Sequence, residues 1–240
     1  MSFHKDFISR FAIALLFGLG GLFLAWYSRH TLLLVFVLFV LIGMAEYFNL
    51  LERAHYRPFR IPGCLAALIF LIVGYFGTDE RSMENLHYAL ALGAITLVLL
   101  KALQLKTTRY RETITFLILT FFGSLYIGGS LSCIMNLRTI HDLKFSAVTP
   151  RDYLFLLPFI GAWAGDTGAY LAGHLLGREK IDIKVSEGKT VEGFLGAMAA
   201  GFVAIYIFGN VLHFPKGLSI LLGLILPVIG VVGDMFESAL

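Results

Sequence analysis

Long apolar runs separated by short polar loops make up most of this chain. A transmembrane α-helix needs roughly 20 apolar residues in succession. By that length rule, about eight runs are candidate spans: Phe11–Tyr27, Thr31–Leu51, Ile61–Gly77, His87–Leu100, Thr113–Leu137, Tyr153–Leu176, Val191–Leu212 and Gly217–Val232. The pattern predicts an all-α fold, a polytopic transmembrane helical bundle, as a single integral membrane domain over residues 1–240.

The composition places the chain in the membrane class. Hydrophobic residues make up 58% of the 240 residues and charged residues 15%, and the mean hydropathy of +0.81 is far from that of soluble domains. The two cysteines, Cys64 and Cys133, have no Cys or His at metal-ligand spacing, so we interpret them as small apolar residues within helices. The basic residues form no stripe, so nucleic acid is not expected as a partner.

The distribution of Lys and Arg over the loops predicts the orientation in the membrane. If the N-terminus is cytoplasmic, the inside segments carry roughly twice as many Lys and Arg residues as the outside loops, as the positive-inside rule requires. The polar blocks that follow the sixth and eighth predicted spans then both face the cytoplasm, where nucleotides are found.

The sixth predicted span combines close packing with buried polarity. Small residues recur there at every fourth position: Gly161, Gly165, Ala169, Gly173 and Gly177. Such a face lets another helix approach closely. A polar row lies beside it at the same spacing: Asp166, Tyr170 and His174. Asp166 either simply bonds to a neighbouring helix or is a functional residue, because ionisable groups inside a membrane usually mark a pathway or a site.

The polar loop before the seventh predicted span has the residues that bind phosphate. Ser186, Gly188, Lys189 and Thr190 lead directly into a helix that begins near Val191. A helix N-terminus presents unpaired N–H groups and a partial positive charge, and Ser186 or Thr190 can cap it. The alternative is an ordinary basic loop with a helix cap.

This loop is not a P-loop. That motif needs glycine at position 183, where the chain has Ile183, and no strand precedes the loop. Glu192 stands in the first helical turn, where the helix dipole favours a carboxylate. It could instead hold a cation or orient Lys189.

Acidic residues at the end of the last span suit a metal ion. Asp234 and Glu237 are three residues apart, with Ser238 next to them. Mg²⁺ prefers a few carboxylates together with substrate phosphates. A solvated helix end explains the same spacing.

The two polar blocks together resemble a known family. The motif Gly165-Asp166-x-Gly168-Ala169-Tyr170-x3-His174-x2-Gly177-Arg178, followed by Ser186-x2-Lys189-Thr190-x-Glu192-Gly193-Phe194, is similar to the core of the phosphatidate cytidylyltransferases, or CDP-diacylglycerol synthases. The final Gly233-Asp234-x2-Glu237-Ser238-Ala239-Leu240 resembles the start of that family's C-terminal signature. The likeness is strong over residues 161–240 and diffuse upstream.

The chain departs from the family pattern at three places. Glu187 stands where the family commonly has Pro, and Val191 where it often has an aromatic residue. The family signature continues to a Lys-Asp pair, a His-Gly-Gly turn and an Asp-Arg-x-x-Asp pair, a continuation that residues 1–240 do not contain. The resemblance therefore implies that residues 1–152 are N-terminal helices, that 153–240 are part of a core truncated at its C-terminal end, and that the 240-residue chain is a fragment or an inactive form.

The resemblance implies a reaction in which CTP and phosphatidate give CDP-diacylglycerol and pyrophosphate, with Mg²⁺ as cofactor. It implies membrane lipids as further partners, a possible homo-oligomer, and a bacterial inner membrane with the active site facing the cytoplasm. The implied catalytic residues are Asp166, Lys189 and Asp234. The implied substrate-binding residues are Tyr170, Ser186, Lys189, Thr190, Glu192 and Ser238. The implied metal ligands are Asp234, Asp166 and Glu237.

Other functions remain open at this point. Intramembrane Asp166 and glycine-interrupted spans also occur in transporters and channels. Against transport, the polar residues cluster at one face, and no pair of broken helices appears in matching halves of the chain. A related CTP-using enzyme that acts on another lipid, or a truncated non-catalytic relative, would have the same residues.

Overall fold

A computed structural model describes residues 27–76, 110–139, 151–177 and 190–239, with residues 88, 92, 93 and 96 described individually. The regular structure in these ranges is helical. Its elements are α1 (Arg29–Arg53), α2 (Arg60–Phe76), α3 (Tyr110–Ser124), a π-helical segment (Leu125–Gly129), α4 (Ser130–Thr139), a 3₁₀ turn (Arg151–Leu156), α5 (Leu157–Leu176), α6 (Val191–Val211) and α7 (Lys216–Ala239). The chain divides into two compact units, Met1–Ile140 and His141–Leu240.

The described residues contain four helical stretches that are long and apolar enough to cross a membrane: Arg29–Arg53, Glu112–Arg138, Val191–Val211 and Lys216–Met235. Each coincides with a span predicted from the sequence. Arg60–Phe76, which coincides with a fifth, is a shorter apolar helix. The described residues therefore confirm an all-helical fold with four candidate membrane spans.

The expected total of about eight spans is not supported by the described residues. The predicted first span, Phe11–Tyr27, lies outside the described residues except for Tyr27. The predicted fourth span, His87–Leu100, lies outside them except for residues 88, 92, 93 and 96. The sixth, Tyr153–Leu176, contains the helix α5, but α5 is not among the candidate spans. Its length is 20 residues, and it contains the glycines and the polar row predicted for the sixth span.

The N-terminal unit is held together by buried hydroxyl groups between apolar helices. Ser124 at the end of α3 is fully buried and donates to the backbone oxygen of Gly63 on α2 at 2.9 Å. The Tyr47 hydroxyl on α1 donates to the backbone oxygen of Leu119 at 2.8 Å. The backbone N–H of Phe59 donates to Thr120 Oγ1 at 3.0 Å. Hydroxyl-to-backbone bonds of this kind link helices where apolar contact alone gives no preference over lipid.

In the C-terminal unit, α5 and α6 run antiparallel with their small residues in contact. A Cβ atom built on Gly161 would lie 3.0 Å from the Ile205 side chain, one on Gly168 would lie 2.5 Å from Ala200 Cβ, and one on Gly173 would lie 3.2 Å from Thr190 Oγ1. Successive positions along α5 thus contact positions of α6 in reverse sequence order. Gly161 and Gly173 of the predicted small-residue face thus pack on α6, whereas the closest approach is made by Gly168, which lies beside that face.

Helix α7 packs against the middle of α6. A Cβ atom on Gly201 would lie 2.8 Å from the ring of Pro227, which is inside α7, and one on Gly223 would lie 2.9 Å from the Phe202 ring. A proline ring within a helix needs space on the facing surface, and Gly201 provides it. Because α6 contacts both neighbours, it is the central helix of this unit.

We predict that Gly168→Ala destabilises the protein and that Gly165→Ala does not. The added methyl group at 168 would meet the backbone of Gly196 and the side chain of Ala200, whereas at 165 the nearest atom is Ala197 O at 3.8 Å. Overpacking of this kind typically costs about 1–3 kcal/mol. Thermal unfolding in detergent should show a lower midpoint for Gly168→Ala alone. Equal midpoints for the two variants would show that the contact is not close.

Candidate active site

A cavity of about 610 Å³ lies between α5, α6 and α7 within the C-terminal unit. Helix α5 forms one wall and the C-terminal half of α7 another, while the first two turns of α6 close it between them. The polar residues that border it are Asp166, Tyr170, His174, Thr190 and Asp234. Most of the remaining lining is apolar or glycine.

Two carboxylates from different helices border this cavity. Asp166 lies in the middle of α5, and Asp234 lies near the end of α7. Both residues are exposed at the surface of the described structure. Since α5 and α7 both pack on α6, the arrangement of the three helices brings together residues that are distant in sequence.

The N-terminus of α6, which carries a partial positive charge, borders the cavity. Thr190 is the N-cap residue, with extended backbone angles, φ −114° and ψ 155°. Its Oγ1 accepts a hydrogen bond from the backbone N–H of Gly193 at 3.1 Å. The capping role predicted for Thr190 is confirmed. The other N–H groups of the first turn and the helix dipole favour an anion here.

Glycines at the end of α5 allow this N-terminus to lie beside the polar row. A Cβ atom on Gly173 would lie 3.2 Å from Thr190 Oγ1, and one on Gly177 would lie 3.0 Å from Thr190 Cγ2. Larger residues at these positions would displace the cap. The small-residue face therefore also sets the distance between His174 and the start of α6.

The structure brings together four of the residues predicted from the sequence. Asp166, Tyr170, Thr190 and Asp234 border one cavity. Glu192, in the first turn of α6, is partly buried and does not border the cavity.

The structure does not describe the side chains of the other predicted site residues. Ser186 and Lys189 lie outside the described residues. Glu237 and Ser238 lie in the last turns of α7, in a part of the helix whose side chains are not described. Their predicted roles stay predictions.

Some residues that form the cavity have no role in the predictions from sequence. His174 stands in the polar row and in the family motif without an assigned role, and neither Gly230 nor Pro227 of α7 is among the predicted site residues. A side chain built on Gly230 would meet nothing within 4 Å, so this glycine leaves open space beside the carboxylates. Sequence spacing could reveal His174, but only the packing of α7 reveals Gly230.

The carboxylates of the cavity suit Mg²⁺, an ion that protein carboxylates and substrate phosphate oxygens can coordinate together. Among the described residues, no three His, Cys, Asp or Glu side chains are grouped closely enough to hold a metal ion. Mg²⁺ does not need such a cage, because it usually takes one or two carboxylates together with water and phosphate oxygens. Asp166 and Asp234 provide the carboxylates, and both are hard oxygen ligands. The site therefore suits a metal ion that arrives with a phosphate.

The apolar lining suits the cavity to the apolar part of a ligand. Pro158, Ala162, Leu226 and Pro227 belong to the lining, together with further aliphatic residues. An apolar wall beside two carboxylates and a helix N-terminus can hold a molecule that is partly lipid and partly phosphate. Phosphate chemistry on an amphipathic substrate is the reaction class that this geometry favours.

Comparisons with known proteins point to the same chemistry. The sequence model of the cytidylyltransferase family matches residues 8–240. A phosphatidate cytidylyltransferase of Bacillus subtilis (strain 168) is 29% identical over 209 residues, which cover 85% of this chain and 74% of the relative. One from Staphylococcus haemolyticus is 26% identical over 213 residues, covering 87% of this chain and 75% of the relative.

A higher identity is found over a shorter stretch. A phosphatidate cytidylyltransferase of Haemophilus influenzae is 37% identical over 92 residues, 36% of this chain and 32% of the relative. The match to the family model covers nearly the whole chain, including every described residue that borders the cavity. The chain belongs to the cytidylyltransferase family.

Proposed function

We propose that this protein transfers a cytidylyl group from CTP to phosphatidate, giving CDP-diacylglycerol and pyrophosphate in phospholipid synthesis. One observation carries the proposal: two carboxylates, on α5 and α7, and the N-terminus of α6 border a single cavity whose other walls are apolar. Membership of the cytidylyltransferase family and relatives named phosphatidate cytidylyltransferase support the choice of nucleotide and lipid.

The reaction needs no nucleophile from the protein. A phosphate oxygen of phosphatidate attacks the α-phosphorus of CTP, and a new P–O–P bond forms. The bond between the α-phosphorus and the oxygen that bridges to the β-phosphorus breaks, and pyrophosphate leaves with that electron pair. The main obstacle is repulsion between two phosphate groups, so catalysis consists of positioning and charge neutralisation.

The chain's own residues have separate tasks in this scheme. The backbone N–H groups at the start of α6 bind phosphate oxygens, and Thr190 holds that turn in place through its bond to Gly193. Ser186 and Lys189, in the preceding loop, add a hydroxyl group and a positive charge. Tyr170, Glu192 and Ser238 are the further substrate-binding residues of the proposal.

Asp166 and Asp234, with Glu237 in the last turns of α7, are the proposed ligands of Mg²⁺. When bound, the ion neutralises phosphate charge and stabilises the leaving pyrophosphate. Asp166 and Asp234 border the same cavity as Thr190, so an ion held by these carboxylates would share that cavity with the start of α6. A phosphate held there contacts both the metal site and the helix N-terminus.

The proposed orientation places the N-terminus and the catalytic groups on the cytoplasmic side of a bacterial inner membrane. The excess of Lys and Arg in the segments that would then be cytoplasmic supports it. CTP is made in the cytoplasm and phosphatidate resides in the bilayer. A homo-oligomer is part of the proposal as an expectation from the family resemblance only.

The test is product analysis with the full-length protein in liposomes. CTP labelled at the α-phosphate should yield labelled CDP-diacylglycerol and unlabelled pyrophosphate in equal amounts, only when phosphatidate and Mg²⁺ are both present. Liposomes that accumulate or release a solute without consuming CTP would favour the transporter alternative and overturn the proposal.

We predict that Asp234→Asn lowers kcat by at least about 100-fold and raises the Mg²⁺ concentration needed for half-maximal rate, because a neutral amide is a weak ligand for this ion. Glu46→Gln, an exposed carboxylate of α1 in the other unit, is the control and should leave both values unchanged. Unaltered Mg²⁺ dependence in Asp234→Asn would remove Asp234 from the ligand set.

We also predict that Lys189→Ala raises the KM for CTP by roughly 10- to 100-fold, the value of a hydrogen bond to a charged group. Arg57→Ala removes an exposed positive charge between α1 and α2 and should change the KM by less than about twofold, as surface charges do. Similar losses in the two variants would mean that basic residues act only through membrane topology.

A further inference from the structure

We propose that Tyr170 and His174 form the binding surface for the base of the nucleoside triphosphate. The inference rests on the proposed function, in which CTP enters the cavity, and it assigns a part of the nucleotide to a part of the wall. The two rings belong to the C-terminal half of α5 and stand one helical turn apart. Both border the cavity.

The two rings are parallel and accessible. Their centroids are 5.9 Å apart and their planes differ by 1°. Tyr170 is 58% exposed, and His174 is also exposed. A planar heterocycle can stack on the outward face of such a ring pair, because every base has a π-face that stacks on aromatic side chains.

The parallel geometry alone is not distinctive, since residues four apart on a helix often align. Phe122 and Tyr126 are parallel within 11°, and so are Phe202 and Tyr206 within 8°. Neither of these pairs borders the cavity. Phe202 packs against α7 instead, where a Cβ atom on Gly223 would lie 2.9 Å from its ring. Location in the cavity distinguishes the pair on α5.

The polar edges of the two rings are available to a ligand. Within the described residues, each of these two side chains makes one interaction, the stacking contact with the other ring. A phenol hydroxyl and a neutral imidazole each offer one donor and one acceptor. The edge of a pyrimidine base presents donors and acceptors side by side, so the pair can hydrogen-bond a base as well as stack on it.

The position of the pair agrees with the length of a nucleotide. Asp166 precedes Tyr170 by one turn, a rise of about 6 Å along α5. Gly173, next to His174, approaches Thr190 at the start of α6. A base on the rings thus leaves the phosphates within reach of both the carboxylate and the helix N-terminus. Phe194, which also borders the cavity, adds apolar surface nearby.

The test is equilibrium binding of labelled CTP to the full-length protein with Mg²⁺ and without phosphatidate, so that no turnover occurs. Tyr170→Leu should weaken CTP binding roughly 5- to 100-fold, the loss expected from one stacking contact. Tyr170→Phe, which keeps the ring, should stay within about threefold of wild type. Tyr206→Leu removes a tyrosine from the matched pair on α6 and should have no effect.

A competing role for these side chains is contact with a phosphate. Displacement by inorganic triphosphate separates the two, because this probe has no base. If Tyr170→Leu weakens inorganic triphosphate binding as much as CTP binding, the pair holds phosphate and the inference is overturned. If CTP binding falls while inorganic triphosphate binding is unchanged, the base assignment stands.

Failure of the inference differs from failure of the proposed function. A wild-type protein that converts CTP and phosphatidate to CDP-diacylglycerol, but whose Tyr170→Leu variant binds CTP equally well, overturns the base assignment alone. A wild-type protein that neither binds CTP nor forms the product overturns both.

Discussion

The close contact between α5 and α6 is the constraint on which the C-terminal unit depends. Gly168 lies against Gly196, and Gly173 lies against Thr190, so the two backbones meet with almost no side chain between them. In a bilayer, hydrophobic burial gives little preference for helix association, and close packing of small residues takes its place. A methyl group added at such a contact would find no space against the facing helix.

This contact also determines where the polar groups can be. With one face of α5 occupied by glycine and alanine, Asp166, Tyr170 and His174 are turned to the adjoining face, which borders the cavity. Helix α7 reaches the same cavity because Gly201 of α6 accommodates the Pro227 ring. Packing and chemistry therefore use neighbouring faces of the same helix, and a change in the first would shift the second.

Much of the site could be predicted from residue spacing. The four-residue period of small residues predicted the packing face of α5, and the polar row beside it predicted that Asp166 and Tyr170 would share an environment. Thr190 was predictable as a cap because a hydroxyl residue preceded an apolar helix, and the structure has that bond to Gly193. These are local properties, fixed by helical geometry within one element.

The partners of these elements could not be predicted in the same way. Helix α6 repeats Gly193, Ala197 and Gly201 at the period of α5, yet spacing does not show which small faces meet. The wall formed by Gly230 depends on how α7 packs, which no local pattern specifies. The predicted total of about eight spans rests on length alone, and within the described residues four helices, without α5, are candidate spans.

The cavity and the family membership together predict that a nucleotide and its metal ion bind between α5, α6 and α7. The most direct measurement is a structure of the full-length protein with a non-hydrolysable CTP analogue and Mn²⁺, which anomalous scattering locates. We expect the metal peak beside Asp166 and Asp234, with the phosphates directed toward Thr190. A nucleotide and metal bound elsewhere, with this cavity filled only by lipid, would contradict the account.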